Sequence, residues 1–142
     1  MTGDEMASGA YGSTTGTEER EGRPLMSGLL AFDLSAEAAA LRDEEPYRDG
    51  DRNSRMLAKD VDFRVLLTVL RPDAELDEQN GDARASLQLL EGRALLSVQD
   101  EQTELGSWQM AVVDAGRPWT LRASADCTVL LTLAWPREKS SV

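Results

Sequence analysis

The side chains able to carry enzymatic chemistry are few in this chain of 142 residues, because it contains no histidine and only one cysteine. Histidine is the side chain best suited to general acid or base work at neutral pH. The remaining candidates are a carboxylate with a raised pKa, such as Asp114, and a thiol nucleophile, Cys127. The sequence shows a catalytic partner for neither, and it contains no GxSxG elbow, phosphate-binding glycine loop or zinc-type cysteine spacing. An enzyme is therefore the least favoured class of function.

Two weaker signals concern the same chemistry. Cys127 lies at the start of an apolar run, where a cysteine usually packs as a small hydrophobic side chain. Asp77, Glu78 and Asp82 lie close together in the sequence, and their oxygens could hold a hard cation. A solvated loop explains these carboxylates more simply. We therefore expect a buried, inert thiol and no metal site.

The charge of the chain limits its partners. It has 26 acidic against 15 basic residues and a formal net charge of -11, and this field repels nucleic acid and anionic lipid surfaces. The N-terminus lacks a basic region followed by an apolar stretch, and no apolar run approaches the roughly 18 residues of a membrane span. We expect a cytoplasmic protein that binds neither nucleic acid nor membranes.

The composition divides the chain into three parts. Residues 1–24 are rich in Gly, Ser, Thr and Glu with few large apolar groups, which predicts a disordered acidic tail. Residues 25–55 contain SAEAAALRDEE, which predicts one short helix capped by Ser35 and ended by Pro46. Residues 56–137 contain short β segments separated by turns, and their spacing is typical of an antiparallel sandwich or barrel.

Two details of the β region carry further predictions. In QLLEGRALLSV, Gly92 predicts the tight turn of a β-hairpin, with glycine at the position of positive φ. The segments FRVLLTVL and CTVLLTLAW are apolar on both faces, as expected where one face lines a barrel and the other meets a neighbouring sheet or subunit. This pattern favours a homodimer.

The order of these segments resembles that of small single-domain cupins over about residues 35–136, with the best matches at LQLLEGR (87–93), VVDAGRP (112–118) and the last strand ending in LTLAWP. The resemblance implies an all-β fold. This fold is a double-stranded β-helix, or jelly-roll barrel, here preceded by one short helix. In the family, imidazoles and a carboxylate hold a divalent metal ion inside the barrel.

The resemblance fails at the positions of the metal ligands. When the last glycine of the family's first motif is placed on Gly92, the two histidine positions fall on Gln79 and Gly81 and the glutamate position falls on Ala85. When the second motif is placed on the VVDAGRP run, its histidine position falls on Trp119. Neither histidine nor carboxylate stands at these four positions. We therefore expect no metal ion and no other cofactor.

An apolar pocket with one amide group would replace the metal site, a composition found in many sites for small ligands. We expect Gln79 and Trp119 on opposite walls of this pocket and Asp114 at the mouth of the barrel. Gln88 belongs to the pocket only if a bulge reverses the alternation of its strand. Trp119 could contact a ligand or fill the cavity left by the absent ion, and the sequence leaves both open.

Three functions remain open on these residues. The favoured one is a metal-free, non-enzymatic module that binds a small molecule as a sensor or carrier. The second is a structural or interaction homodimer with a filled barrel, which follows from the loss of every metal ligand at once. The third is a cupin isomerase or dioxygenase that works without the usual ligands. An open cavity of some hundreds of Å³ would favour the first, and a cavity filled by Trp119 would favour the second.

Overall fold

The computed structural model describes residues 28–78 and 82–136 of the chain. The predicted tail, residues 1–24, lies outside the described residues. Within these ranges two helices precede nine strands: α1 (Leu34–Asp43), α2 (Glu45–Arg48), β1 (Arg52–Asp60), β2 (Phe63–Leu70), β3 (Glu75–Glu78), β4 (Arg84–Glu91), β5 (Arg93–Val98), β6 (Glu101–Gly106), β7 (Gln109–Val113), β8 (Trp119–Ala123) and β9 (Cys127–Ala134).

The start of α1 differs from the sequence prediction. The Asp33 carboxylate accepts a hydrogen bond from the backbone N–H of Ala36 at 3.1 Å, so Asp33 is the N-cap. The prediction that Ser35 caps the helix is wrong, because Ser35 already lies inside the first turn. Pro46 follows the end of α1, as expected, and also stands in the first turn of α2, where its missing N–H leaves no hydrogen bond broken.

The nine strands form two antiparallel sheets packed face to face. Sheet A has the order β1-β2-β9-β4-β7, and sheet B has the order β3-β8-β5-β6. The inward-facing side chains of both sheets form one apolar core, because alternate residues of each strand point into the barrel. The predicted jelly-roll barrel is confirmed. The first strand, β1, begins at Arg52, within residues 25–55, and the sequence did not predict the short strand β3.

The helices cover the outer face of sheet A at β1 and β2. Leu41 of α1 and Tyr47 of α2 form a second apolar cluster with Leu67 and Val69 of β2. One face of FRVLLTVL therefore packs in the barrel core and the other packs against the helices of the same chain. β2 gives no reason to expect a second subunit.

A buried ion pair fastens α1 to the barrel. Arg55 of β1 donates to the Glu37 carboxylate at 3.0 Å and to the Glu44 carboxylate at 2.7 Å. Arg55 and Glu37 are both buried. Because each charge is neutralised and hydrogen-bonded, the pair avoids the large penalty of an isolated buried charge.

Gly92 is a crossing point between the sheets and not the turn of a hairpin. β4 and β5, on either side of it, belong to different sheets, so the hairpin prediction is wrong. The predicted positive φ is present, at 98°. A Cβ at this position would lie 2.3 Å from the carbonyl oxygen of Asp126 and 2.9 Å from the sulfur of Cys127. The crossing therefore needs glycine for both its conformation and its size.

We expect Gly92→Ala to lower the free energy of unfolding by about 3 kcal/mol or more, because it adds a backbone clash to the cost of a left-handed alanine of about 1–2 kcal/mol. Gly116→Ala is the matched control, since Gly116 has a φ of 86° and no atom within 4 Å of its built Cβ. Gly116→Ala should therefore lose only the about 1–2 kcal/mol that a left-handed alanine costs. Urea unfolding followed by circular dichroism compares the two, and equal losses would show that the crossing relaxes around the methyl group.

Candidate functional site

The two ends of the barrel differ in how they are closed. At one end the β8–β9 turn, residues 124–126, lies against the Gly92 crossing, where the N–H of Ser124 donates to the carbonyl of Arg93 at 2.9 Å. At the other end β8 begins and both β3 and β9 finish. Ala85 and Trp119, the two described positions of the family's metal ligands, lie at this second end, which we call the open end.

Two rows of inward-facing residues meet across the open end. Each sheet contributes one row, and within a row each residue is paired across neighbouring strands with the next. Facing sheets pack about 10 Å apart, so side chains of the two rows fill the space between them. The row in sheet A is Arg64, Leu133, Ala85 and Val113, and the row in sheet B is Glu78, Trp119, Val98 and Glu101.

Trp119 is a core residue at this end of the barrel. Its side chain is only 2% exposed and belongs to the same apolar cluster as Ala85 and Leu133. Its indole Nε1 is buried and has no hydrogen-bond partner in the described part of the chain. The burial of the ring among apolar neighbours agrees with a side chain that fills space.

Arg64 brings a positive charge to the same end. Its guanidinium lies over the ring of Trp135, with 4.8 Å between the guanidinium carbon and the ring centroid. This stacking is a cation–π contact, which arginine makes readily because its guanidinium is planar and weakly hydrated.

The described residues do not fit a metal ion at the family's position. Ala85 and Trp119 are 1% and 2% exposed, so both point into the barrel where ligands would stand, yet a methyl group has no lone pair and the indole N–H is a donor only. Across residues 28–78 and 82–136, no three carboxylate, thiol or imidazole groups lie close enough together to hold a metal ion. The other two ligand positions, Gln79 and Gly81, lie outside the described residues.

A cleft of about 680 Å³ opens beside these rows, between the edges of the two sheets. Its apolar walls come from β5 and β7, and its polar groups come from β6 and from the loop between β7 and β8. The Arg117 guanidinium, in that loop, donates to the side-chain oxygen of Gln99 at 2.9 Å. The residues lining the cleft are Leu96, Val98, Glu101, Gln102, Thr103, Ala111, Val112, Val113, Asp114 and Arg117.

Asp114 stands at the rim of this cleft as an ionised carboxylate. Its oxygen accepts hydrogen bonds from the backbone N–H of Ala115 at 2.8 Å and from Arg84 at 3.0 Å. The Ala115 N–H, followed by the hydrogen bond and charge of Arg84, holds the pKa of Asp114 below its ordinary value. A carboxylate stabilised in this way is a poor general acid or base at neutral pH.

The structure describes three of the four predicted pocket residues and places them in three different positions. Asp114 lines the cleft, and Trp119 lies in the core beside Val98, which also lines it. Gln88 lies on the outer face of sheet A, because its neighbours Leu87 and Leu89 point inwards and the bulge in β4 comes only after it. Gln79 lies outside the described residues.

Sequence reasoning did not identify most of the cleft. Ala111 could have been found from the alternation of β7, since it shares the inward face with Val113. Thr103 and Arg117 carry no sequence signal of this kind, because they reach the cleft only through the packing of β6 and the β7–β8 loop.

Two packed antiparallel sheets with this strand order define a cupin-type jelly-roll protein. The chain belongs to the AraC-binding-like domain family, whose family model matches residues 61–139. The comparison with curated protein sequences finds no match.

Several solved structures are similar to the chain at low sequence identity. A protein of unknown function from Streptococcus pyogenes is 22% identical with a TM-score of 0.61, over 76% of this chain and 89% of that one. A variant of salicylate 1,2-dioxygenase from Pseudoaminobacter salicylatoxidans is 19% identical with a TM-score of 0.64, over 72% of this chain and 34% of the enzyme. The cupin domain of an XRE-family transcriptional regulator from Enterobacter cloacae is 16% identical with a TM-score of 0.55, over 61% and 99%.

We expect Arg84→Gln to raise the pKa of Asp114 without restoring its ordinary value, because the stronger hydrogen bond from Ala115 remains. Arg117→Gln is the control, since Arg117 lowers this pKa only weakly and at a distance. Carbon-13 NMR of the Asp114 carboxyl group across an acid titration measures this pKa in the wild-type protein and in both variants. A larger rise in Arg117→Gln than in Arg84→Gln would contradict the assigned partners.

Trp119→Phe should lower the free energy of unfolding by only about 1–2 kcal/mol, because the ring loses apolar area but no hydrogen bond. Trp119→Ala should cost about 3–5 kcal/mol, since it leaves a cavity between the sheets. Denaturant unfolding of both variants distinguishes packing from hydrogen bonding. A loss in Trp119→Phe as large as in Trp119→Ala would mean that the indole N–H has a partner.

Proposed function

We propose that this chain is a metal-free, non-enzymatic module that binds a small organic molecule, and that the molecule occupies the cleft between β5, β6 and β7. The observation that carries the proposal is the cleft of about 680 Å³ at the open end of the barrel. This volume lies within the roughly 300–1,000 Å³ of typical sites for small ligands.

The lining of the cleft supports a ligand with an apolar body and polar substituents. Leu96, Val98 and Val113 offer apolar surface that is continuous with the barrel core. Thr103 and Arg117 offer hydrogen-bond donors along the same cleft. An apolar wall with a few converging polar groups is the common composition of sites that bind small molecules.

The chemistry of the nearby ionisable groups supports binding over catalysis. Asp114 stays ionised because Ala115 and Arg84 stabilise its charged form. Burial raises the pKa of the Cys127 thiol, so it stays protonated and unreactive at neutral pH. Neither group is suited to transfer a proton or attack a substrate.

A sensory role is the particular form of binding that the similar structures support. One of them is a cupin domain of a transcriptional regulator, and it corresponds over almost its whole length to the barrel of this chain. We therefore propose that ligand binding here is read out by another protein or domain, in the cytoplasm, and is not followed by a reaction.

The second candidate function is a structural or interaction dimer with a filled barrel. Its supporting observation is the burial of Trp119 in the apolar core, at a position where the resemblance to cupins implies a metal ligand. The two candidates differ in the occupant of the cleft. In the binding module a small molecule occupies it, whereas in a purely structural protein it holds only solvent.

Native mass spectrometry of the protein, purified without chelator, tests the proposal. We expect an organic adduct in about one-to-one ratio and no metal ion. Ala111→Phe places a ring on the inward face of β7, inside the cleft, and should abolish the adduct. Ser124→Phe places the same ring on the exposed turn at the closed end of the barrel and should leave the adduct in place.

Each other outcome has a defined meaning. A stoichiometric metal ion in the wild-type protein would contradict the metal-free proposal. An unliganded wild-type protein would favour the structural candidate. An adduct that survives Ala111→Phe would show that the molecule binds elsewhere on the chain.

A further inference from the structure

Two buried side-chain donors at the open end of the barrel have no hydrogen-bond partner. They are Nε of Arg64 and Nε1 of Trp119, and within residues 28–78 and 82–136 they are the only buried side-chain nitrogen or oxygen atoms without one. A buried donor that lacks a partner has lost its bonds to water and gained nothing in return. Such atoms are rare in natural proteins, and each needs a physical explanation. Two of them at the same end of one barrel indicate a site for a hydrogen-bond acceptor.

Both donors stand in the inward-facing rows of the open end. Arg64 lies in the row of sheet A, next to Leu133, and Trp119 lies in the row of sheet B. Facing sheets pack about 10 Å apart, so long side chains from both rows share the space between them. Trp135, on which Arg64 stacks, packs against the apolar cluster that contains Trp119. The two donors therefore face the same part of the barrel interior.

The stacking of Arg64 on Trp135 holds the guanidinium in place without satisfying its N–H groups. The contact uses the flat face of the guanidinium, whereas the N–H bonds lie in its plane and point outward from its edge. None of the ion pairs among the described residues includes Arg64. A positioned guanidinium without a carboxylate partner is well suited to bind an anion.

The charges nearest to these donors favour an anion over a cation. Lys59 is paired with Arg64 across β1 and β2, and Glu78 is paired with Trp119 across β3 and β8. Lys59 and Glu78 offset one another, and Glu101 stands two strands beyond Trp119, at the cleft. The formal net charge of -11 belongs to the whole chain, and its distant part is screened beyond about 8 Å at physiological ionic strength. The charge of Arg64 therefore decides which ion is attracted.

We propose that the open end of this barrel binds a carboxylate, whose oxygens accept hydrogen bonds from Nε of Arg64 and Nε1 of Trp119. The two donors match the two oxygens of this group, and the single positive charge of Arg64 balances its single negative charge. The polarity is opposite to that of a metal centre, since donors stand where the resemblance to cupins implies lone pairs for a cation. This site goes beyond the proposed function and does not depend on a ligand in the cleft.

The proposed carboxylate site adjoins the cleft but is separate from it. Trp119 is paired with Val98, which lines the cleft. Arg64 lies three strands away from Val113, the residue of its own row that lines the cleft. The same chemistry is therefore available to two sources, a free carboxylate and the carboxylate of a longer molecule that extends from the cleft.

Proton–nitrogen NMR of the indole N–H groups tests the proposal on the full chain, with sodium acetate as the probe and acetamide as its uncharged match. The chain has three tryptophans, and the signal of Trp119 is the one missing from Trp119→Phe. At constant ionic strength we expect acetate to move this signal downfield until it saturates, because a charged acceptor forms the stronger hydrogen bond. Acetamide should bind at least about 10-fold more weakly.

Three variants locate the site. Arg64→Gln removes the positive charge and should weaken acetate binding at least about 10-fold. Arg122→Gln is the matched control, because it changes the net charge equally on the strand of Trp119 but at an exposed position, where Arg122 pairs with Asp73; acetate affinity should stay the same. Ala111→Phe, which blocks the cleft, should also leave acetate binding unchanged. Circular dichroism and thermal unfolding establish that the variants fold, and the comparison of acetate with acetamide needs no variant.

Four results would overturn the proposal: a Trp119 signal that acetate does not move, an equal response to acetamide, an unchanged acetate affinity in Arg64→Gln, or a loss of acetate binding in Ala111→Phe, which would place acetate in the cleft. Native mass spectrometry of Arg64→Gln separates the two sources. Loss of the organic adduct identifies the bound molecule as the source of the carboxylate, and its retention identifies a free carboxylate. Because acetate binding and the adduct are measured separately, failure of this proposal is distinguished from failure of the proposed function.

Discussion

The close approach of Gly92 to the β8–β9 turn is the constraint on which the barrel depends. At this point the chain leaves sheet A and enters sheet B, and no side chain separates its backbone from Asp126 and Cys127. The Cys127 thiol lies 3.1 Å from the carbonyl oxygen of Arg93 and 3.3 Å from that of Ala125, and its hydrogen is shared between them. Arg42 of α1 donates to the Cys127 carbonyl from outside. Both sheets and the helix are thus joined at the closed end.

The close contacts of the closed end involve none of the residues in the two rows at the open end. Of the four positions that hold metal ligands in the cupins this chain resembles, the two described ones, Ala85 and Trp119, lie at the open end and carry apolar groups. The exchange removes charges whose burial is costly without an ion and adds a large apolar ring to the core. The cleft beside Val98 persists because it lies between the sheet edges, away from the space that Trp119 fills.

Sequence reasoning predicted what short-range patterns determine. The β segments, the helix before Pro46 and the positive φ of Gly92 follow from propensity, alternation and the properties of glycine and proline. β3 was missed because three of its four residues are acidic, a composition that disfavours strands. The hairpin at Gly92 was wrong for a different reason: a tight turn and a crossing between sheets need the same glycine, and only long-range pairing distinguishes them. For the site, Asp114 was placed at the barrel mouth, whereas Thr103 and Arg117 depend on how distant segments pack.

The same distinction between local pattern and long-range packing explains why the apolar outer face of β2 is no longer evidence for a subunit contact. Apolar residues on both faces of β2 suggested an interface, but α1 and α2 cover that face, fastened by Arg55 and Glu37. The exposed outer face of β7, with Met110 and Val112, gave no such signal in the sequence, because a short strand of alternating small and apolar residues resembles any half-buried strand. Its exposure follows from its place at the edge of sheet A, on the side that the helices do not reach. An apolar strand is evidence for a partner only after the rest of the chain has been placed, since the helix nearest in sequence competes for the same surface.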